Sequence, residues 1–481
     1  MNGRMTRYIL CRMLEIESAL LLVPALVGLI YNEKEGLWFL LTAVLQFLIF
    51  IIIKGKPPKD TQIYAKEGMV IVCLAWILWS AFGALPAVFS GIVPNYIDSY
   101  FEIMSGFTTT GSTILTQIEG LPNCFLFWRS FTHWIGGMGV LMFAMLLGSS
   151  DRSNSMHLMR AEVPGPEMDK LVPKAKQTVR ILYGIYLGLT VILIVLLCFG
   201  GMNLYDSLIH AFSTAGTGGF SNYAASVGAF NSPYIEWVIT VFMLLFGVNF
   251  NLYFLLMLRE IRSVLRNEEL RTYLLIILGA VVFITMNIFH QSANLSESIR
   301  DSAFQVVSVI TTTGFASTNY NAWPMFSRYI LLTLMLIGAC ASSTGGGIKV
   351  SRVIIMFKSI KKYVRQLAHP KSVNIIRLNG NKIAEDVVQG VYIYFVGYVI
   401  FLLGSLILVS LDNMDFGTTF SAVLTTINNT GPGIGYIGPD GNFADFSYLS
   451  KIVLIIDMLV GRLEIIPFLM LFTLPLWRKK F

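Results

Sequence analysis

Ten long apolar runs, at about residues 13–31, 37–53, 68–90, 124–148, 179–201, 234–258, 271–290, 326–357, 388–410 and 448–476, leave few folds open to this chain. A helix needs about 20 apolar residues to cross a hydrocarbon core of roughly 30 Å, so the runs predict an all-α polytopic membrane protein. Only 13% of the 481 residues are charged and the mean hydropathy is +0.67, whereas soluble domains carry about 25% charge. The bilayer is therefore the expected solvent, and no length remains for a soluble catalytic domain.

Arg4, Arg7 and Arg12 precede the first run as in a secretion signal, but Glu15 and Glu17 interrupt it and no small-x-small site follows, so a retained helix is expected. The cysteines (Cys11, Cys73, Cys124, Cys198 and Cys340) stand singly, without the pairing of a metal site or disulfide framework. An even number of spans puts both termini on one side. All but Lys34, Arg129, Arg300, Arg328, Lys451 and Arg462 of the 35 Lys and Arg residues fall on that face. The positive-inside rule makes it cytoplasmic. The net charge of +7 is thus a topology signal, and no nucleic-acid partner is expected.

Four connections on the opposite face carry a similar string: Phe107-Thr-Thr-Thr-Gly-Ser112, Phe212-Ser-Thr-Ala-Gly-Thr217, Ile310-Thr-Thr-Thr-Gly-Phe315 and Ile427-Asn-Asn-Thr-Gly-Pro432. Without gaps they align on Gly111, Gly216, Gly314 and Gly431, separated by 105, 98 and 117 residues. That period holds two spans and one re-entrant segment. The predicted architecture is four pseudo-repeated helix, pore-loop, helix units around one pore, plus two extra N-terminal transmembrane helices. Its boundaries are 1–60 for the N-terminal pair, then 61–170, 171–265, 266–375 and 376–481, with a broken inner helix in the third repeat.

Before each glycine lies a weakly apolar stretch too short to cross, such as Asp98 to Phe107 and Asp301 to Ile310. These read as pore helices, with Asp98, Asp206, Asp301 and Asp415 near their starts to cap free N–H groups. Their negative ends would converge at the midplane and attract a cation. The backbone of Thr109, Thr110, Gly111, Thr214, Ala215, Gly216, Thr312, Thr313, Gly314, Asn429, Thr430 and Gly431 would then replace its water shell. Glycine suits a strand that must turn successive carbonyls inward. A single copy would read as a helix-capping turn; four ungapped copies favour a filter.

On these strings, with His133-Trp-Ile-Gly-Gly-Met-Gly139, Ser213-Thr-Ala-Gly-Thr-Gly-Gly-Phe220, Ala341-Ser-Ser-Thr-Gly-Gly-Gly-Ile-Lys349 and Gly461-Arg-Leu-Glu464, nearly the whole chain resembles the Trk/Ktr/HKT potassium-transporter superfamily. The N-terminal pair of spans favours its TrkH type. The resemblance implies potassium as the transported ion, held by filter carbonyls. It implies a homodimer with one pore per subunit, and a cytoplasmic TrkA-type regulatory ring that carries the nucleotide. No cofactor is expected on this chain itself. Gly111 and the other three filter glycines agree with potassium over sodium.

The run 326–357 is about 48 Å long if wholly helical, more than a bilayer requires. Its middle, Gly338 to Gly347, is rich in poor helix formers and small polar groups. It therefore reads as a loop under the filter, with a small-residue packing face as the alternative. Gly338, Ser342, Ser343, Thr344, Gly345, Gly346, Gly347 and Lys349 are the candidate gate, joined by Arg462, a mid-span charge that needs a partner or a cavity. Asp457 and Glu464 lie on its own helix at poor spacings, so a partner elsewhere is favoured. Arg462 is then either a movable barrier to cations or a structural pair.

Gly433-Ile-Gly-Tyr-Ile-Gly438 matches a dinucleotide fingerprint but overlaps the fourth string without a strand-then-helix unit. The five histidines form no metal pattern, and His133 reads as a packing residue. No catalytic constellation is present, so an enzyme is not expected. The basic stretches 149–180 and 349–386 are either solvated connectors or docking sites for the ring. Function narrows to a gated channel-like pore driven by membrane potential, or to an obligatory proton- or sodium-coupled symporter.

Overall fold

In the lipid phase a backbone polar group must be paired within its own segment, which makes helices of the apolar runs. The computed structural model describes residues 3–55, 58, 64–139, 175–291, 294–372 and 374–472. Helices α1 (Gly3–Ile30) and α2 (Gly36–Ile53) form an N-terminal hairpin. Their backbones nearly touch at the turn, where a Cβ on Gly28 would lie 2.6 Å from Gly36 Cα. Deeper in, Gln46 donates to the buried Glu17 carboxylate at 2.5 Å.

One pattern then recurs four times. A long outer helix is followed by a short pore helix, an extended segment and an inner helix. The first repeat contains α3 (Ala65–Gly83), the short α4 (Leu85–Phe89), α5 (Tyr96–Phe107) and α6 (Asn123–Gly137). The second contains α7 (Ala175–Phe199), α8 (Leu204–Gly216), α9 (Pro233–Phe246), α10 (Phe250–Met257) and α11 (Ile261–Leu265). The third has α12 (Glu268–Ile288), α13 (Leu295–Ile310), α14 (Met325–Ile337) and α15 (Val350–Ala368). An Asn-Gly hairpin, β1 (Arg377–Leu378) with β2 (Asn381–Lys382), leads to the fourth: α16 (Glu385–Val409), α17 (Phe416–Ile427), α18 (Tyr448–Leu463) and α19 (Ile465–Met470). Pore helices α5, α8, α13 and α17 have 12, 13, 16 and 12 residues, too short to span.

Six helical segments among the described residues are long and apolar enough to cross, not ten; a seventh counts if α9 and α10, bent by 90°, are taken together. Inner helices account for the difference. α6, α14 and α18 have 15, 13 and 16 residues, so each falls short of the roughly 20 needed. In the third repeat α14 ends at Ile337 and α15 begins at Val350, and two other inner helices also bend, at Gly247-Val248-Asn249 and at Glu464, whose φ is 64°. Hydropathy reports burial of a run, not its straightness. The ends of the runs at 140–148 and 473–476 lie outside the described residues.

The pore-helix caps differ from expectation. Asn95, Asn203 and Asn294 accept the first N–H groups of α5, α8 and α13, and only in α17 is the cap an aspartate, Asp415. Asp98 and Asp206 sit one turn inside, and Asp301 is deeper in α13. Asn and Asp cap equally well, so composition does not choose between them. Outside the spans, hydrogen bonds from Thr418 hold the Asp415 carboxyl below its ordinary range.

Candidate pore and gate

Each pore helix ends in the same backbone figure. Thr109, Thr217, Thr312 and Asn429 adopt the left-handed conformation (φ 54°, 53°, 56° and 54°), as do, two residues on, Gly111, Gly219, Gly314 and Gly431 (φ 81°, 76°, 81° and 95°). Between them, the N–H groups of Thr110, Gly218, Thr313 and Thr430 donate back to Ser105, Ser213, Ser308 and Thr425 at 2.8–2.9 Å. In three repeats this is the residue set read from the strings. In the second it is displaced by three positions. Thr214, Ala215 and Gly216 are the last residues of α8, and Thr217-Gly218-Gly219 occupy the place assigned to them. Gly216 is glycine for another reason: its Cβ would fall 2.2 Å from the His133 carbonyl oxygen.

Four glycines close a ring. A Cβ on Gly111 would lie 2.0 Å from Gly218 O, on Gly219 2.1 Å from Thr313 O, on Gly314 2.0 Å from Thr430 O, and on Gly431 2.8 Å from Thr110 O. Each repeat therefore abuts the carbonyl of the next, in the order one, two, three, four and back to one. No side chain fits at these positions, and a positive φ excludes most other residues as well. The four pore-helix C-termini, which carry partial negative charge, point at this ring. On the side where the pore helices start, a cavity of about 70 Å³ is lined by the same four glycines.

Buried charges that the sequence left without roles brace the ring. Arg129, 1% exposed, donates through Nε to Glu102 Oε1 at 2.7 Å and lies over the Phe220 ring at 4.0 Å. Glu102 also accepts from Ile114 N at 2.9 Å and from the Thr113 hydroxyl. It thereby clamps the strand leaving Gly111. The signal for this pair was a charge in an apolar run, which demands a counter-charge. Lys451 reaches Asp98 of α5 at 2.7 Å. His133 packs, its Nδ1 2.7 Å from Gly106 O and its ring 4.3 Å from that of Phe220.

Beneath the ring, residues 338–349 leave the helix. Ile348 N and Lys349 N donate to Leu336 O and Ile337 O at 3.3 and 2.9 Å, closing the loop at its neck, where Gly338 and Gly347 cross. The loop then presses upward. A Cβ on Gly345 or Gly346 would meet Thr311 O at 2.8 Å or Asn428 O at 2.3 Å, and Gly346 N donates to Thr312 Oγ1 at 2.6 Å. Sideways, it docks on the α9–α10 bend: Phe250 N donates to Ser342 O at 3.1 Å and the Thr344 hydroxyl to Phe246 O at 3.2 Å. Ser343 Oγ and Lys349 Nζ turn inward onto Cys340 O and Gly345 O.

Arg462 joins this layer. Its guanidinium donates to Gly136 O and Gly137 O at 2.6 and 2.8 Å, to Thr344 O at 2.7 Å and to Thr109 Oγ1 at 3.2 Å. One cation thus ties the end of α6, the loop and the ring. Of the two acidic residues on its own run, Asp457 bonds Ser405 at 2.6 Å and Glu464 pairs with Arg352 at 2.5 Å. Between Arg462, Lys349 and the glycines of the loop the free space is about 10 Å³, no more than one water fills. Ring, loop and arginine form one stack. The Gly433–Gly438 string is a loop around a single 3₁₀ turn, far from a dinucleotide site. Most of the 149–180 stretch, Pro164-Gly-Pro166 included, lies outside the described residues.

A family model, TrkH, cation transport protein, matches residues 41–479. The chain belongs to the TrkH family. Similarity to individual TrkH proteins extends over the N-terminal hairpin as well. The Trk system potassium uptake protein TrkH of Salmonella typhimurium is 37% identical over 469 residues, 96% of each chain. That of Escherichia coli K12 is 36% identical over the same share. The crystal structure of the potassium transporter TrkH from Vibrio parahaemolyticus superposes with a TM-score of 0.89 at 31% identity, covering 99% of this chain and 100% of that one. TrkH proteins are transporters, and the all-α polytopic fold expected from the apolar runs is the one found.

Proposed function

We propose that this chain is the potassium-conducting subunit of a Trk-type uptake system in a bacterial cytoplasmic membrane. The observation that carries the reading is the closed ring of four backbone segments with the loop and Arg462 stacked directly beneath it. In this reading the filter is Thr109-Thr110-Gly111, Thr217-Gly218-Gly219, Thr312-Thr313-Gly314 and Asn429-Thr430-Gly431. Its carbonyls replace the hydration shell of K⁺. The loop and Arg462 are the gate, and the cation of Arg462 opposes passage until it moves. Inward flow needs no chemistry in the chain, since about 2.3 kcal/mol per charge is available at 100 mV. Both termini are cytoplasmic by the distribution of Lys and Arg.

Regulation falls to a cytoplasmic ring of TrkA type that binds the nucleotide, in keeping with relatives named as parts of a Trk system. The chain works as a homodimer. Phe357, Ile360, Val364 and Leu367 of α15 are 58–69% exposed, and their spacing of three, four and three residues makes a coiled-coil seam that a second copy would cover.

The test is electrical: reconstitute the purified chain in a planar bilayer and record current under opposed potassium and sodium gradients. A reversal potential at the potassium equilibrium value, unmoved by a proton gradient, is the expected result. A reversal that follows the proton or sodium gradient would replace the channel with a coupled symporter.

A further inference from the structure

The loop under the ring is held by a residue outside it. Glu269, in the first turn of α12, is 5% exposed, and its Oε1 accepts two backbone N–H groups: Ala341 at 2.7 Å and Ser351 at 3.1 Å. These donors flank the excursion. Ala341 is near its start, and Ser351 is the second residue of α15, the helix that follows it. The first N–H groups of a helix have no partner within it. The residue preceding α15, Lys349, has φ 83° and makes no side-chain cap, so Glu269 supplies from another helix the acceptor that α15 lacks.

The neighbourhood gives this bond leverage. Cys340, next to Ala341, donates from its N–H to Gly247 O at 3.1 Å, at the apex of the α9–α10 bend. Val350, next to Ser351, donates to Ala339 O at 3.1 Å. The loop is therefore pinned on one side to the second repeat and on the other to α12, and the carboxylate is the one side-chain acceptor shared by both of its ends among the described hydrogen bonds. If it withdraws, two buried N–H groups lose their acceptor in a low-dielectric layer, where an unmade bond is most costly. The least costly escape is for the loop to leave the ring and find water.

We propose that Glu269 is a positioning residue for conduction: it latches the loop shut by accepting the Ala341 and Ser351 N–H groups, so that movement of α12 frees the loop. This rests on the reading of the loop as gate. The test uses full-length protein in liposomes, with Cys340 kept and the other four cysteines replaced. Two quantities are read: basal rubidium flux and the rate at which a small methanethiosulfonate modifies Cys340, buried in the latched state. Glu269→Ala is expected to raise both on the order of tenfold, since charge-assisted hydrogen bonds are lost. Glu269→Gln, which keeps an accepting oxygen, restores both toward the parent, and Glu269→Asp, with a shorter reach, falls between and serves if the alanine variant does not fold. Unchanged Cys340 modification in folded Glu269→Ala or Glu269→Asp would overturn the latch itself. Faster modification without added flux would leave Glu269 as a tether but overturn its control of conduction, and with it the loop as gate.

Discussion

At the ring, glycine is set by two independent demands that coincide at Gly111, Gly219, Gly314 and Gly431. Gly219 needs a left-handed φ and leaves no room for a Cβ beside Thr313 O. Gly120 has φ 88° but open space around its Cβ position. Serine at each position therefore separates conformational strain, about 1–2 kcal/mol in this region, from displacement of a ring carbonyl. Gly219→Ser should lower the potassium-over-sodium permeability ratio toward one, measured as a bi-ionic reversal potential, while Gly120→Ser should leave it at the parent value. An unchanged ratio in Gly219→Ser would remove the second repeat from the filter. The three-residue shift there was not legible locally. Thr214-Ala-Gly216 and Thr217-Gly-Gly219 offer the same pattern, and what separates them is the His133 carbonyl pressed against Gly216, a contact from another repeat. In the strings of the other three repeats no second such triplet follows directly, and the ring residues there are those read from the sequence.

Elements behaved according to how much of their stability is local. Pore helices were legible because a short apolar stretch with a capping residue is a self-contained signal. Breaks in the inner helices were read only at Gly338 to Gly347, where a long run of glycines and small polar groups disfavours a helix; the bends at Gly247-Val248-Asn249 and at Glu464, three residues before Pro467, carry shorter breaker signals inside otherwise apolar runs. The loop's neck makes a specific prediction. Because Leu336, Ile337 and Ala339 already bond to Ile348, Lys349 and Val350, the ends of the excursion meet without its tip. Deleting residues 342–346 should leave a folded protein and raise basal rubidium flux into liposomes at least about tenfold, the equivalent of roughly 1.4 kcal/mol. Arg462→Ala, which frees Thr344 O, should act in the same direction. Folded protein with parental flux would make the loop a packing element.

For the whole molecule, the exposed seam on α15 bears on assembly. Cysteine at Ile360 or Val364, in a background without the native cysteines, should cross-link two chains in native membranes under mild oxidation, while cysteine at Lys361, off the seam, should not. Equal cross-linking at all three would count against a specific dimer. Before any folding, the sequence determined a membrane protein of helices, its four-fold internal repetition and its family, because hydropathy, helix length and repeated strings are properties of a segment facing its solvent. Only the tertiary structure decided which triplet of the second repeat enters the ring, where Arg462 spends its hydrogen bonds, and that Glu102 meets Arg129 and Glu269 meets both ends of the loop. Those contacts join residues up to 353 positions apart. Their choice depends on which buried donors and acceptors the closed bundle leaves within reach of one another, and no segment carries that information alone.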